Sequence, residues 1–362
     1  MYSFEPSEEQ AMLVEAARRY AENDLRPAAH EADEEGELPT SLIEKGWQLG
    51  VLQASVPEEF GGFGERSAVS GALAAEELAY GDLSAAIAVM TPSSFVVPLL
   101  IGGDDEQKTT WLPPVVEGDW RPYTAALIEP QFDFSPLNLR TAATADGDGF
   151  LLTGEKTYVP FADQAPAILV FANLADEPAA FIVPADADGL TIGERRKLLG
   201  LGAVPLHDVT LEEVRVSADS RVGTDGSVVA EMIASSQVAV AALAVGLSRA
   251  AHEYSLEYAK ERDAFGEPIA HKQAIAFMVA EMATEIEAIR LMVWDAAWKL
   301  DAGEDASRAA YLAQVGAADM AMMVTDRAVQ ILGGHGYIRE HPVERWMRNG
   351  RGIPVFTGLA MV

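Results

Sequence analysis

The residues whose types could do chemistry gather in two segments of the final third of the chain. One reads Tyr258-Ala259-Lys260-Glu261-Arg262-Asp263-Ala264-Phe265-Gly266, and the other reads Ala328-Val329-Gln330-Ile331-Leu332-Gly333-Gly334-His335-Gly336-Tyr337. The planar guanidinium of Arg262 can pair with two phosphate oxygens at once. Adjacent glycines such as Gly333 and Gly334 allow close approach to the backbone. These residue types are suited to binding an anionic ligand.

Each of these residues also has a plainer structural interpretation when it is taken alone. Arg262 is typical of a surface ion pair, and Phe265 is typical of a core residue. Gly333 and Gly334 are equally typical of a helix end, where the chain needs a conformation that other residues avoid. Only the arrival of all of them together, at a fixed spacing, favours a binding function.

The elements that must position these residues are predicted to be helices, then a β domain, then helices again. The stretch from Ser7-Glu8-Glu9-Gln10, a capping-box pattern, to about Ala29 is amphipathic, and Ser41-Leu42-Ile43-Glu44 repeats the start signal. The glycine-rich stretch 57–64 predicts a break, and Ala-rich helical segments continue to roughly Ile101.

Short apolar and alternating segments follow, which are typical of strands: 150–159, 167–171, 180–183 and 209–216. Long segments at helical spacing follow these: 227–261, 273–302 and 306–332. The sequence therefore predicts an α+β protein. We expect an N-terminal α-helical domain over 1–121, a middle β-barrel-like domain over 122–225, and a C-terminal helical bundle over 226–362.

The amino-acid composition argues against several kinds of partner and binding site. With 56 acidic and 26 basic residues the formal net charge is −30, which repels nucleic acid. The chain has no cysteine, which excludes disulfides and thiolate metal sites and agrees with a cytoplasmic protein. No apolar run approaches the roughly 20 residues that span a bilayer. Met1-Tyr2-Ser3-Phe4-Glu5 lacks the basic start of a signal peptide. We expect no metal and no membrane partner.

The two segments resemble the signatures of acyl-CoA dehydrogenases. The first is similar to the family's Y-x-x-x-R-x-x-F-G motif and is followed by Ile269 and Gln273, and the second is similar to the family's second signature. Further similarity lies in Pro342-Val343-Glu344-Arg345-Trp346-Met347-Arg348-Asn349, in Val56-Pro57-Glu58-Glu59-Phe60-Gly61-Gly62 and in the N-terminal capping box. The resemblance spans the whole chain and implies the acyl-CoA dehydrogenase fold, with a four-helix C-terminal bundle.

The resemblance also implies the cofactor, FAD, and six residues that hold it. In the family these signatures act across a subunit interface and complete the neighbour's FAD site. Arg262 would lie against the pyrophosphate, and Gln330, Gly333 and Gly334 would approach the adenine and pyrophosphate portion. Phe265 would supply an apolar wall, and Gln273 a polar contact nearby.

The catalytic carboxylate of the family is missing. The family oxidises an acyl-CoA thioester: a glutamate removes the α-proton while a hydride passes from the β-carbon to the flavin. Counting along the family pattern places that glutamate at Thr357, and the other position known in relatives falls at Ser236. A hydroxyl is too weak a base for this step without an adjacent activating group. Glu231, one to two turns from Ser236, is interpreted as a solvated helix residue.

The motif that contacts the flavin in the β domain is also altered. The family pattern Thr-Glu-Pro-x-x-Gly-Ser-Asp corresponds to Ile128 through Ser135, in which Glu129 and Pro130 remain while the glycine is lost. Pro136 then removes a backbone donor. The family's Trp-Ile-Thr corresponds to Tyr158-Val159-Pro160, which ends without a hydroxyl or an N–H. This chain's own flavin site is therefore interpreted as decayed, whereas the residues that act in trans remain.

The resemblance implies a subunit without the catalytic base in a heteromeric acyl-CoA dehydrogenase, similar to bacterial α2β2 heterotetramers that act on steroid side chains. The expected partner is a catalytic acyl-CoA dehydrogenase subunit, and the expected substrate of the complex is an acyl-CoA. Two alternatives stay open. One is a self-sufficient flavoenzyme of another reaction type on this fold, and the other is a non-enzymatic binding or scaffold protein.

Overall fold

The structure is a computed structural model that describes residues 6–223 and 225–362. The N-terminal residues 1–5, on which the signal-peptide prediction rests, and residue 224 lie outside the described residues. Helices come first along the chain, a sheet follows, and helices return after it. This order agrees with the predicted α+β class.

Seven helices form the first region: α1 (Glu8–Tyr20), α2 (Arg26–Glu35), α3 (Thr40–Trp47), α4 (Ala68–Gly81), α5 (Leu83–Met90), α6 (Ser93–Gly102) and α7 (Asp105–Val116). The predicted capping box at α1 is confirmed, because the Ser7 side chain accepts from the Gln10 N–H and the Gln10 side chain accepts from the Ser7 N–H. A π-helical turn, Ala21–Leu25, joins α1 to α2.

Two details of this region differ from the sequence prediction. Ser41 does not cap α3, since the helix begins one residue earlier and Pro39 occupies the cap without a side-chain hydrogen bond. Helical structure also continues beyond Ile101, because Asp104 and Gln107 form a second capping box that starts α7. The glycine-rich break is confirmed, with Gly61 at φ 90° directly after a short 3-10 turn.

The middle region is a twisted sheet of eight strands: β1 (Thr124–Ala126), β2 (Ala142–Asp146), β3 (Gly149–Pro160), β4 (Ala167–Leu174), β5 (Glu177–Pro184), β6 (Leu190–Arg195), β7 (Leu206–Ser217) and β8 (Arg221–Val222). The strand order is β6-β7-β3-β2-β4-β5-β8, and β1 pairs with β4 in parallel. Among the described residues, the edge strands β6 and β8 are not hydrogen-bonded to each other. The predicted barrel-like domain is therefore an open sheet and not a closed barrel.

The last region contains four helices: α8 (Gly226–Glu261), α9 (Gln273–Asp301), α10 (Ser307–Leu332) and α11 (Val343–Gly350). A two-strand hairpin, β9 (Asp263–Ala264) and β10 (Glu267–Pro268), joins α8 to α9. The expectation that no apolar run approaches bilayer-spanning length is wrong for α8, which is long and apolar enough to span a bilayer, but 83% of that stretch is buried inside the fold. It is therefore the central core helix, packed against α4, α9 and α10.

Buried ionic contacts lock α4 onto the C-terminal helices. Arg249 of α8 pairs with Glu76 at 2.8 Å and with Glu77 at 2.6 Å, and Arg290 of α9 also pairs with Glu76. All four side chains are largely buried, with exposures of 13% or less. These pairs and one shared apolar core fix the C-terminal helices, which form one side of the cleft described next.

Candidate functional site

A cleft of about 950 Å³ lies between the sheet and the C-terminal helices. Its sheet side is formed by the loop 128–137 and by the middle of β3, at Thr157 and Tyr158. Its helical side is formed by α8 and α10 and by the chain just before Thr357. The loop that corresponds to the family's altered flavin motif and the predicted base position Thr357 therefore face the same cleft.

The Glu129 carboxylate, which survives from that motif, is committed to a structural ion pair. Its Oε1 lies 2.8 Å from the Lys156 Nζ, and the two side chains are 2% and 0% exposed. Its oxygens also accept from the backbone N–H groups of Arg140 and Thr141 at 2.7 and 2.8 Å. These bonds clamp the two ends of the loop together, so Glu129 shapes the cleft wall.

The pKa values of this pair follow from its burial. Burial lowers the pKa of Lys156 to about 8, against the attraction of Glu129. Burial also disfavours ionised Glu129, but the Lys156 ammonium and the backbone donors outweigh it and hold the pKa of Glu129 below its usual range. Both groups are charged at neutral pH. A carboxylate held in this way is a poor proton acceptor.

The second altered motif, Tyr158-Val159-Pro160, lies at the end of β3. Tyr158 has a left-handed backbone conformation, φ 55°, beside an irregularity in the pairing of β3 with β7. The Arg196 guanidinium lies 5.3 Å from the centre of the Tyr158 ring and bonds to Asp208 at 2.6 Å. Pro160 is buried and offers no donor. The cleft wall here is therefore an aromatic ring with a cation over it.

The structure brings together the two base positions, which are far apart in sequence. Ser236 Oγ accepts from the Gly358 N–H at 2.6 Å and donates to the Ala360 carbonyl at 2.8 Å. Thr357, directly before Gly358, accepts from the Gln314 side-chain amide. Each hydroxyl is thus already used in a hydrogen bond. Neither has a neighbour among the described residues that could remove its proton.

Other carboxylates near these positions are few. Of the described residues that line the cleft, only Glu129 and Asp319 carry one, and Asp319 is exposed on α10. Glu231 pairs with Arg66 at 3.2 Å and its side chain is 44% exposed. The interpretation of Glu231 as a partly solvated helix residue agrees with this geometry. Among residues 6–223 and 225–362 no cluster of His, Asp and Glu could hold a metal ion.

The six residues predicted to hold FAD in trans are exposed on the surface: Arg262, Phe265, Gln273, Gln330, Gly333 and Gly334. The Arg262 side chain has no ion pair or hydrogen bond with any described residue. Phe265 is 97% exposed at φ 57°, so the interpretation of this side chain as a core residue is wrong. The hairpin turn that carries Phe265 displays its ring to solvent.

The glycine pair does end a helix, and it also leaves open space. The helix α10 ends at Leu332, and Gly333 follows at φ 59° and ψ −128°. A Cβ atom added at Gly333 or Gly334 would meet nothing within 4 Å. This surface has room for a phosphate group to approach the backbone, and the exposed Arg262 guanidinium lies at the C-cap of α8. These residue types fit the pyrophosphate of FAD.

A cluster of histidines and tyrosines, which the sequence pattern did not predict, holds the two signature segments together. Tyr258, one turn before Arg262, hydrogen-bonds to His335 Nδ1 at 2.7 Å. Tyr254 hydrogen-bonds to His341 Nδ1, also at 2.7 Å, and the two histidine rings stack 5.5 Å apart. The sequence could have indicated this contact, because Tyr258 and His335 each lie inside one of the two segments.

The comparisons with known proteins cover the whole chain. The chain matches three family models: acyl-CoA dehydrogenase, N-terminal domain, over residues 7–119; middle domain, over 124–214; and C-terminal domain, over 225–360. A relative named short-chain specific acyl-CoA dehydrogenase, mitochondrial, from Bos taurus is 33% identical over 369 residues, covering 99% of this chain and 89% of the relative.

Solved structures show the same architecture. Butyryl-CoA dehydrogenase from Megasphaera elsdenii superposes with a TM-score of 0.89 at 32% identity, covering 99% of this chain and 96% of that one. A glutaryl-CoA dehydrogenase from Mycobacterium smegmatis, solved in complex with FADH2, gives 0.87 at 26% identity, covering 98% and 92%. The similarity therefore includes all three regions of the chain.

Proposed function

Because this chain belongs to the acyl-CoA dehydrogenase family, a family of FAD-binding oxidoreductases, we propose that it is the subunit without a catalytic base in a heteromeric acyl-CoA dehydrogenase. A second, catalytic subunit completes an α2β2 complex. The complex dehydrogenates an acyl-CoA thioester between Cα and Cβ. This chain contributes to the partner's FAD site across the interface.

One contrast carries this proposal. The hydroxyls of Thr357 and Ser236 are tied up inside the fold, where the family's carboxylate would have to be free. The Arg262 guanidinium, in contrast, is exposed and unpaired among the described residues. Hydroxyls already bonded inside the fold, together with exposed residues suited to holding a phosphate, are what a subunit needs when the chemistry happens in its partner.

The division of labour follows from the reaction. FAD, when bound, supplies the acceptor for the hydride from Cβ, and a carboxylate must take the proton from Cα. Arg262 neutralises the pyrophosphate with a planar, bidentate contact. Gln330, Gly333 and Gly334 would approach the adenine and pyrophosphate portion, while Phe265 would supply an apolar wall and Gln273 a polar contact nearby. The carboxylate comes from the partner.

The test is co-expression of this chain with a catalytic acyl-CoA dehydrogenase chain, followed by visible absorption of the purified products. We expect little flavin in this chain alone and a full flavin spectrum in the complex. Arg262→Ala in this chain should lower the flavin content of the complex at least tenfold at limiting FAD. Arg19→Ala is the matched control, since Arg19 is 67% exposed and lies on α1 in a surface pair. A change caused equally by both variants would contradict the proposal.

A self-sufficient flavoenzyme is the second candidate, and Asp319 is the observation that favours it. This exposed carboxylate lines a cleft of about 950 Å³ that has room for a ligand. Under this alternative the chain purified alone is yellow and active, and Asp319→Asn abolishes that activity. If the chain alone oxidises butyryl-CoA and Asp319→Asn stops it, the base-less assignment is wrong.

The scaffold alternative predicts a different result in the same experiment. No complex would contain flavin that depends on Arg262.

The steroid-side-chain class of substrate rests on the resemblance to base-less partners, and it stays a prediction. Titrating the active complex with acyl-CoA thioesters of increasing bulk tests it directly, because a large acyl cavity accepts both short and bulky groups.

A further inference from the structure

The segment Gly358–Val362 is buried in the interior, directly behind the two base positions. Its last four residues are almost completely buried, with exposures of 2% for Leu359, 0% for Ala360 and Met361, and 5% for Val362. Leu359 and Val362 belong to the core that joins the helical regions, while Met361 belongs to a second core between the helices and the sheet. The segment therefore fills space where several elements meet.

Hydroxyl groups from two helices hold the backbone of this segment. Ser236 bonds to the Gly358 N–H and to the Ala360 carbonyl. The neighbouring Ser235 Oγ accepts from the Val362 N–H at 3.1 Å, and Ser93 Oγ accepts from the Met361 N–H at 3.1 Å. Each hydroxyl satisfies a backbone group that would otherwise be buried without a partner. The position of the segment is thereby specified.

The walls around the segment are shaped to receive it. A Cβ atom added at Gly71 of α4 would lie 2.8 Å from the Val362 Cβ, so this glycine makes room for that side chain. The Arg66 guanidinium donates to the Val362 carbonyl oxygen through Nε and Nη2 at 3.3 and 3.0 Å. Beside the segment lies a cavity of about 40 Å³, lined mainly by apolar groups such as Trp47, Leu78 and Met361.

The location gives this packing a consequence for ligand binding. In the family, a base at either of the positions held here by Ser236 and Thr357 would have to reach the same α-carbon. The segment brings these positions together, because Gly358, directly after Thr357, donates its N–H to Ser236. An acyl chain that extended from these positions away from the open cleft would have to enter the interior. The apolar side chains of Leu359, Met361 and Val362 already occupy that interior.

We propose that residues 359–362 are an internal plug that fills the apolar space behind Ser236 and Thr357 and bars an acyl chain from passing beyond the cleft into the interior. The plug goes beyond the subunit assignment, because it concerns acyl binding within this chain and holds with or without a partner. The cleft thereby lacks the apolar depth behind it that a long acyl chain would need. Any acyl binding by the complex then belongs to the partner's site.

Two ligands and two variants test the plug in the full chain. Calorimetric titration with decanoyl-CoA and with CoA measures what the acyl group adds to binding. For the unmodified chain we expect equal affinities, with the amides of residues 358–362 protected from hydrogen exchange in both complexes. Removal of residues 359–362 should make decanoyl-CoA bind at least tenfold more tightly than CoA.

The second variant, Met361→Ala, covers the case in which the deletion does not fold. It enlarges the 40 Å³ cavity by most of a methionine side chain, and apolar cavities of that kind bind small apolar molecules. Toluene should raise the melting temperature of Met361→Ala by several degrees. It should leave Met12→Ala unchanged, because Met12 is 73% exposed.

The outcomes separate clearly. The plug is refuted if the unmodified chain prefers decanoyl-CoA to CoA by tenfold or more, or if a folded deletion variant shows no preference. It is also refuted if toluene does not stabilise Met361→Ala. None of these measurements uses flavin or a partner, whereas the subunit assignment is judged by flavin content in the complex. Failure of one therefore does not imply failure of the other.

Discussion

Replacing Glu129 with glutamine should destabilise the protein strongly at neutral pH and less at alkaline pH. The substitution removes the negative charge from a pair whose side chains are 2% and 0% exposed, with 2.8 Å between Oε1 and Nζ. It leaves the Lys156 ammonium in the interior without its counter-charge. Breaking a buried pair from one side costs about 3–5 kcal/mol.

A separate estimate of the same cost comes from letting Lys156 lose its proton. An unfolded lysine has a pKa of about 10.4, so keeping it neutral at pH 7 costs about 5 kcal/mol at about 1.4 kcal/mol per pH unit. At pH 9 the same cost is about 2 kcal/mol. The unfolded state binds the extra proton in this window, so the variant gains about 3 kcal/mol of stability between pH 7 and pH 9.

The assay is urea unfolding of Glu129→Gln followed by circular dichroism at both pH values. The matched control is the double variant Glu129→Gln with Lys156→Met, which removes both charges and should recover most of the stability without that pH dependence. Asp133→Asn is a surface control, because Asp133 and Arg140 pair with side chains that are 75% and 68% exposed. If Glu129→Gln stays within about 1 kcal/mol of the unmodified chain at pH 7, the ion pair does not hold the loop as described.

Two further predictions concern the packing of the plug. Met361→Ala should lower the free energy of unfolding by about 2–5 kcal/mol, because it truncates a fully buried side chain, and urea unfolding beside Met12→Ala measures it. A difference between these two variants below about 1 kcal/mol would show that Met361 is not packed as described. Gly71→Ala should cost about 1–3 kcal/mol through its contact with Val362, and an unchanged melting temperature would contradict that close approach.

Much of the fold follows from local pattern. The long proline-free segment that became α8 carries apolar residues at helical spacing, and Ser7 with Gln10 marks the start of α1 through contacts three residues apart. Along much of strand β7, buried and more exposed residues alternate, as expected when successive side chains point to opposite faces of a sheet. These signals are contained in neighbouring residues, so the sequence carries them without the rest of the molecule.

For the candidate site too, some features can be predicted from the sequence and others cannot. The identities of Arg262, Gly333 and Gly334, and the absence of a carboxylate at Thr357 and Ser236, are written in the residue types and their spacing. Their exposure is not. Phe265 has the composition of a core residue, yet it projects from a hairpin at φ 57°, a placement that depends on how α8 and α9 are joined.

The sequence by itself determined the family, the order of helices and strands, and the hydroxyl residues at positions 236 and 357. Only the tertiary structure decided that Glu129 is neutralised by Lys156, that Tyr258 binds His335, and that Gly358 closes onto Ser236. The last two contacts join residues 77 and 122 positions apart. No local periodicity encodes such pairs, because they arise when whole helices pack and bring distant polar groups into one interior.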